Sequence, residues 1–353
     1  MINAPRLDIN LDKIHDNARI LVERLADKNI SVTGVTKATL GSLKIAEALL
    51  HAGVSTLGDS RIENIKSMRH AHDKVQISLI RSPMLSQAKQ VVHYSDVSHN
   101  TELEVIGALS AEAQKQKRVH GVILMVELGD LREGIMPCDM ESMVRETLKF
   151  SNIAFKGIGT NLACRSGVSP DATNMNELST LADTLDTTFG FVMETISGGN
   201  SSNLGWALSD VDTGRINNLR LGEAILLGCD PLNREPIEGL HIDAITLSAE
   251  VIEVKIKPSK PRGDIAETAF GTVKTSKDNG LISQALLAAG EQDIDPNGLL
   301  PPDCMEIIGA SSDHLILNAG SQQLPIGSEI KFIPNYSALL RAMTSPFVSK
   351  VIE

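Results

Sequence analysis

The chain has 353 residues, a formal net charge of -11 and a pI near 5.3. That length exceeds what a single core fills comfortably, so a large domain with a smaller second one is expected. The acidic balance argues against nucleic acid or an anionic membrane surface as the main partner, because both require clustered Lys and Arg.

The four cysteines, Cys138, Cys164, Cys229 and Cys304, form no C-x-x-C pair, which fits free thiols in a reducing compartment and argues against structural zinc. There is no apolar leader-like stretch near Met1 and no run of about 18 uncharged apolar residues, so the chain reads as cytoplasmic rather than membrane-embedded.

A short extended start at 6–9 leads into Leu11, Ile14, Ala18, Leu21, Val22 and Leu25, an apolar stripe at helical period that predicts a helix. Short runs rich in Val, Ile and Leu then alternate with amphipathic stretches. The strand-like runs fall at 31–36, 54–58, 75–80, 95–98, 121–128, 153–160, 191–197 and 216–221. Helical spacing separates them, as in 60–70 with Ile62, Ile65 and Met68, or 101–117 with Leu103, Ile106, Leu109 and Ala113. Eight βα units without a break near the middle predict a (β/α)8 barrel rather than a doubly wound sheet.

After residue 228 the texture changes. Prolines such as Pro231, Pro258, Pro296 and Pro302 punctuate β-like runs at 244–254, 306–309, 314–317 and 329–333, with one helix expected at 282–289. The expected division is a barrel over 1–228, its first strand available to the second domain, and a smaller, mostly β domain over 229–353.

Active sites of such barrels are built from the loops after the strands, so polar residues just past each run carry the functional signal. Lys37 follows an apolar strand, and partial desolvation of its amine would favour imine formation. The plain alternative is a lysine reaching from a strand end to solvent. The turn Ser197-Gly198-Gly199-Asn200-Ser201 offers bare amides and hydroxyls, and Gly222 after the eighth run offers a second close backbone approach. Adjacent glycine-rich turns in loops seven and eight suit a phosphate, although each alone fits an ordinary tight turn. Arg132 and Arg220 end the fifth and eighth runs and suit a carboxylate or a ring nitrogen, or else surface ion pairs with Glu127, Asp130 or Glu223. A rim lysine beside a phosphate-sized anion site suggests pyridoxal 5′-phosphate (PLP).

Five segments carry a resemblance: 5–11 (PRLDINL), 34–38 (GVTKA), 58–64 (GDSRIEN), 218–223 (NLRLGE) and 309–314 (GASSDH). In these the chain resembles the alanine/ornithine racemase family of fold-type III PLP enzymes, along its whole length. The resemblance implies an alanine racemase-like barrel plus β domain, and places Lys37 as the Schiff-base lysine and the acid or base on one face of the substrate. It places Ser201, with the backbone of Gly222 and Glu223, at the phosphate. Arg220 would face the pyridine nitrogen, Arg132 would lie near the substrate carboxylate, and Asn161 would stand where alanine racemases carry a ring-contacting histidine. It also implies a head-to-tail homodimer in which each site is completed by the partner's β domain.

Alanine racemases take the opposite-face base from a β-domain tyrosine, but only Tyr94 and Tyr336 are present, and the corresponding stretch 261–271 has none. Histidine is the residue type suited to proton transfer near neutral pH, so His314 is the first candidate for that base, ahead of Asp313, Cys164 and Tyr336. Asp313 would otherwise receive a distal substrate ammonium, with Glu223 and Asp59 as rivals. The expectation is a PLP-dependent racemase of a basic amino acid, ornithine or lysine. The alternatives are a fold-type III lyase or aldolase acting on a β-hydroxy amino acid, which would need a metal near the cofactor, or a non-catalytic PLP-binding protein.

Overall fold

The computed structural model describes residues 4–271 and 278–353 and divides into two compact units. Strand β1 (Arg6–Ile9) belongs to the unit formed by residues 1–10 and 242–353; helix α1 (Leu11–Ala26) begins the other, 11–241.

In unit 11–241, eight strands pair in parallel in chain order and close into a barrel. They are β2 (Ser31–Val35), β3 (Thr56–Asp59), β4 (Gln76–Leu79), β5 (Val97–Asn100), β6 (His120–Met125), β7 (Ile153–Gly159), β8 (Thr195–Gly199) and β9 (Asn218–Leu221), and β9 closes on β2. A helix follows each strand: α2 (Leu43–His51), α3 (Ile62–Ala71), α4 (Ala88–Tyr94), α5 (Leu103–Lys115), α6 (Met140–Thr147), α7 (Ala172–Phe189), α8 (Leu204–Ala207) and α9 (Glu223–Leu227).

Alternation along the strands sorts the side chains. On β6, Val122 and Leu124 point outward and share a core with Ile106 of α5 and with Met140 and Val144 of α6. Ile123 and Met125 of the same strand point inward and cluster with Val97. Both faces are buried, which is why these strands read as near-continuous apolar runs.

The boundary at 228/229 expected from proline content lies before the observed division at 241/242. Residues 229–241 pack with the barrel because Asn17, fully buried in α1, ties the far end of that segment to α9: its Nδ2 donates to the carbonyls of Ile225 and His241, and its Oδ1 accepts the His241 N–H at 2.7 Å.

The second unit is a mostly antiparallel sheet of β10 (Ile245–Pro258), β11 (Leu281–Leu287), β12 (Leu299–Leu300), β13 (Glu306–Ala310), β14 (Leu315–Asn318) and β15 (Glu329–Pro334), followed by α10 (Tyr336–Thr344) and β16 (Ser349–Ile352). β1 joins it, antiparallel to β10 and parallel to β16. The helix expected at 282–289 is instead β11. Its sequence suits either state, but the 14-residue β10 on one side and β14 on the other give its backbone two ladders, and Ala285 and Leu287 alternate into the core.

Candidate active site

At the carboxyl ends of the barrel strands, Lys37 is half-buried and opens a short 3-10 turn directly after β2. Thr33 and Val35 face the barrel interior, since a Cβ on Gly58 would meet the Cγ2 of both. Alternation therefore carries Lys37 to the mouth, and Thr36 turns outward. Thr36 Oγ1 donates to Asp59 Oδ2 at 2.8 Å, and Asp59 also accepts the Arg61 N–H at 2.9 Å and Asn64 Nδ2 at 3.1 Å. Burial pushes the Asp59 carboxyl above its ordinary range, and the hydrogen bonds oppose that rise. Gly41, at φ +67°, lets the chain pass Asn64, whose Cβ would lie 2.7 Å from any added methyl. The turn bearing Lys37 is thus fastened to α3 from behind. Asp59, 0% exposed and filled with donors, stands behind the strand and is not open to a substrate ammonium.

Arg220 points inward from β9 and is buried. Its Nη1 donates to Ser197 Oγ at 2.6 Å, and Nη2 donates to the Thr160 carbonyl at 2.7 Å and to Asn161 Oδ1 at 3.4 Å. Ser197 hands its own proton to Asn218 Oδ1, and Asn218 Nδ2 donates to Thr33 Oγ1, so a polar chain crosses the interior from β8 to β2. Burial pulls the Arg220 pKa down to about 10, with Arg132 adding repulsion while Glu133 and Cys164 pull it back up. The guanidinium therefore stays protonated at neutral pH without a buried carboxylate bonded to it.

The turn after β8 is preshaped. Gly199 has φ +145°, and a side chain there would strike Asn203 Oδ1 at 2.1 Å. Asn200 caps the turn through the Ser202 N–H, and its Nδ2 reaches Leu162 O and Asn161 Oδ1. Ser201 Oγ accepts from the N–H groups of Gly222 and Ala224 at 3.4 and 3.2 Å, which brings the loops after β8 and β9 together. Ser202 Oγ and Asn161 Nδ2 are buried without hydrogen-bond partners among the described residues.

The loops after β6 and β7 are stapled by Asp130, whose carboxylate accepts the N–H groups of Cys164, Arg165 and Ser166. Arg132 lies on this loop and pairs with Glu133, a partner not among those the sequence suggested. Glu223 pairs with Arg234; burial raises its carboxyl, while Arg234 and Lys37 oppose the rise, so Lys37 and Glu223 sit within electrostatic reach of each other.

Lys37, Arg132, Asn161, Ser201, Arg220, Gly222 and Glu223 all belong to the barrel unit. His314 and Asp313 belong to the β unit, in the connection between β13 and β14. There His314 Nδ1 lies 3.3 Å from Ser311 Oγ, and Asp313 accepts Gln292 Nε2 at 2.6 Å and Ser312 Oγ at 3.1 Å. In the same unit Ser345 donates its hydroxyl to Asp293. Asn200, Ser197 and Thr160 went unforeseen as supports; only Asn200, preceding two serines at a turn, had a local signal, that of a cap.

A closed parallel barrel with a lysine, a buried arginine and an anion-shaped turn at the carboxyl ends of its strands, joined in the chain to an antiparallel β unit, is the architecture of the alanine racemase class. The chain belongs to the family described as alanine racemase, N-terminal domain, whose model matches residues 9–230. It is 38% identical over 355 residues to an ornithine racemase of Acetoanaerobium sticklandii, covering 98% of this chain and 99% of that protein. It is 40% identical over 352 residues to a lysine racemase of Thermotoga maritima, covering 99% and 98%. The structure of alanine racemase from D-cycloserine-producing Streptomyces lavendulae matches with a TM-score of 0.77 at 16% identity, covering 100% of this chain and 98% of that one, a likeness of fold.

Enzymes of this family depend on PLP, and the residues present fit it. The Ser201 and Gly222 turns offer hydroxyls and amides to a phosphate, Ser202 Oγ and Asn161 Nδ2 have hydrogen-bonding capacity to spare, and Arg220 supplies a fixed cation.

Proposed function

We infer that this chain is a PLP-dependent racemase of a basic amino acid, ornithine or lysine. The observation that carries the reading is Arg220, a buried cation held by Ser197, Thr160 and Asn161 in the same barrel mouth as Lys37 and the Ser201 turn. Full-length likeness to an ornithine and a lysine racemase supports the substrate class.

When bound, PLP supplies an electron sink that makes the α-proton of an attached amino acid acidic. The amine of Lys37 holds the cofactor and takes or returns that proton on one face. Ser201 Oγ with the amides of Gly222 and Glu223 would hold the phosphate, and Asn161 would stand beside the ring. Arg220, cationic and fixed, would face the ring nitrogen and disfavour its protonation, which would temper the electron sink the cofactor supplies. Arg132 exchanges its Glu133 partner for the substrate carboxylate.

For the other face, His314 is the base and Asp313 receives the distal ammonium, both contributed by the partner's β unit in a head-to-tail homodimer. The chain works in the cytoplasm, and nucleic acid is no partner.

The test is polarimetry over ornithine, lysine, arginine, alanine and serine with PLP supplied. Ornithine or lysine should lose optical rotation fastest, and a clear preference for alanine refutes the substrate class. Lys37→Ala should abolish both activity and the absorption band of lysine-bound PLP. Wild-type protein lacking that band after loading would sink the reading.

A further inference from the structure

His99 lies on β5, where all four residues are buried. The direction of its ring follows from its neighbours. Ser98 Oγ contacts His120 Nε2 at 2.8 Å, and Asn100 Nδ2 donates to Ser98, so Ser98 and Asn100 share the outward face with His120, Val122 and Leu124. Val97 points the other way, since a Cβ on Gly121 would lie 2.9 Å from it and it clusters with inward Ile123 and Met125. His99 therefore faces the barrel interior alongside Arg220. Its Nδ1 is buried without a hydrogen-bond partner among the described residues, and the residue is 3% exposed.

Burial, with repulsion from Arg220, holds its pKa well below the ordinary histidine value, so the imidazole is neutral. The interior at this level thus holds one fixed cation, Arg220, and one uncharged polar ring with a hydrogen bond unmade. His120, facing outward, also leaves its Nδ1 unpaired while Ser98 contacts its Nε2, so what sets His99 apart is that its open nitrogen belongs to a ring facing the barrel interior, within electrostatic reach of Arg220.

We propose that His99 is a positioning residue for the cofactor, an interior imidazole whose unpaired Nδ1 is completed by bound PLP, so that cofactor binding satisfies a polar group the protein leaves open. The proposal rests on the reading that PLP occupies this barrel. The logic is one of asymmetry: an unmade buried hydrogen bond burdens the empty protein and rewards the loaded one. An apolar residue of similar size removes the burden and the reward together.

The experiment compares wild type, His99→Leu and His99→Gln as apoproteins stripped of PLP and checked for folding by circular dichroism, with His99→Met used if the leucine variant does not fold. Melting temperature, PLP dissociation constant and the absorption maximum of bound PLP are measured. His99→Leu should melt at or above wild type without PLP, bind PLP about tenfold more weakly, the worth of one buried hydrogen bond, and shift the bound band. His99→Gln should recover most of the affinity. A dissociation constant for the folded leucine variant within about twofold of wild type overturns the proposal, whatever the melting temperature does. A loss that glutamine does not recover points to packing volume and also overturns it. Failure of the PLP reading itself shows separately, as wild-type protein without a lysine-bound band.

Discussion

Replacing Asp59 by alanine should unfasten the lysine-bearing turn from behind. The carboxylate accepts from Thr36 Oγ1, Arg61 N and Asn64 Nδ2 at 2.8, 2.9 and 3.1 Å, and at 0% exposure no water reaches the site to replace it. A buried donor left unmade costs about 1–3 kcal/mol. Two terms reduce the sum: the carboxylate's own burial penalty, visible in its raised pKa, disappears, and Thr36 can turn toward the Gly58 carbonyl at 3.4 Å. The net loss expected is about 2–4 kcal/mol in Asp59→Ala and less in Asp59→Asn, whose amide oxygen still accepts. Urea denaturation of the apoprotein reads the stability, and racemisation of the folded variant at saturating PLP reads the placement of Lys37. Activity should fall in both variants, even where folding is complete. Stability within about 0.5 kcal/mol of wild type in Asp59→Ala would refute the account of the network.

Acid should also weaken the protein through buried imidazoles. Burial lowers the His120 pKa to about 4 from an ordinary 6.5, so its contribution is intact above pH 6.5 and is lost as pH falls through that window, because the unfolded chain binds a proton the fold refuses. The slope is up to about 1.4 kcal/mol per pH unit, and His99 acts in the same direction. Urea midpoints from neutral to acid pH should fall less steeply in His120→Gln, and parallel slopes would dismiss the effect. Ser201→Ala should weaken PLP about tenfold while leaving the binding of pyridoxal, which lacks the phosphate, unchanged; equal losses for both ligands would remove Ser201 from the phosphate site.

The barrel was legible because its strands are for the most part buried on both faces and flanked by turn residues, a pattern local to a few residues. The fourth run was expected at 95–98, whereas the structure carries β5 through His99 and Asn100, both buried, with Asn100 bonded to Ser98. The segment at 282–289 suits helix or strand by composition, and its ladders with β10 and β14 decide the matter from outside the segment. The placing of Lys37 and the Ser197–Ser201 turn at strand ends could be read because strand-end position and glycine content are local signals. The partners that hold Arg220 could not, since Ser197, Thr160 and Asn161 lie 23, 60 and 59 residues away and meet it only when the barrel closes.

The pairing of β1 with both β10 and β16 has a consequence for how the chain is made. In connectivity the barrel is an insertion between the first strand of the β unit and all the rest of it. Domains fold as units, the earlier one first, as the chain emerges during synthesis. The barrel therefore has every strand it needs while β1 still waits, unpaired, for partners that begin 236 residues later at Ile245 and end at Ile352. The second unit is begun before the barrel and finished after it, and its opening strand keeps an open edge until residues 349–352 have been made.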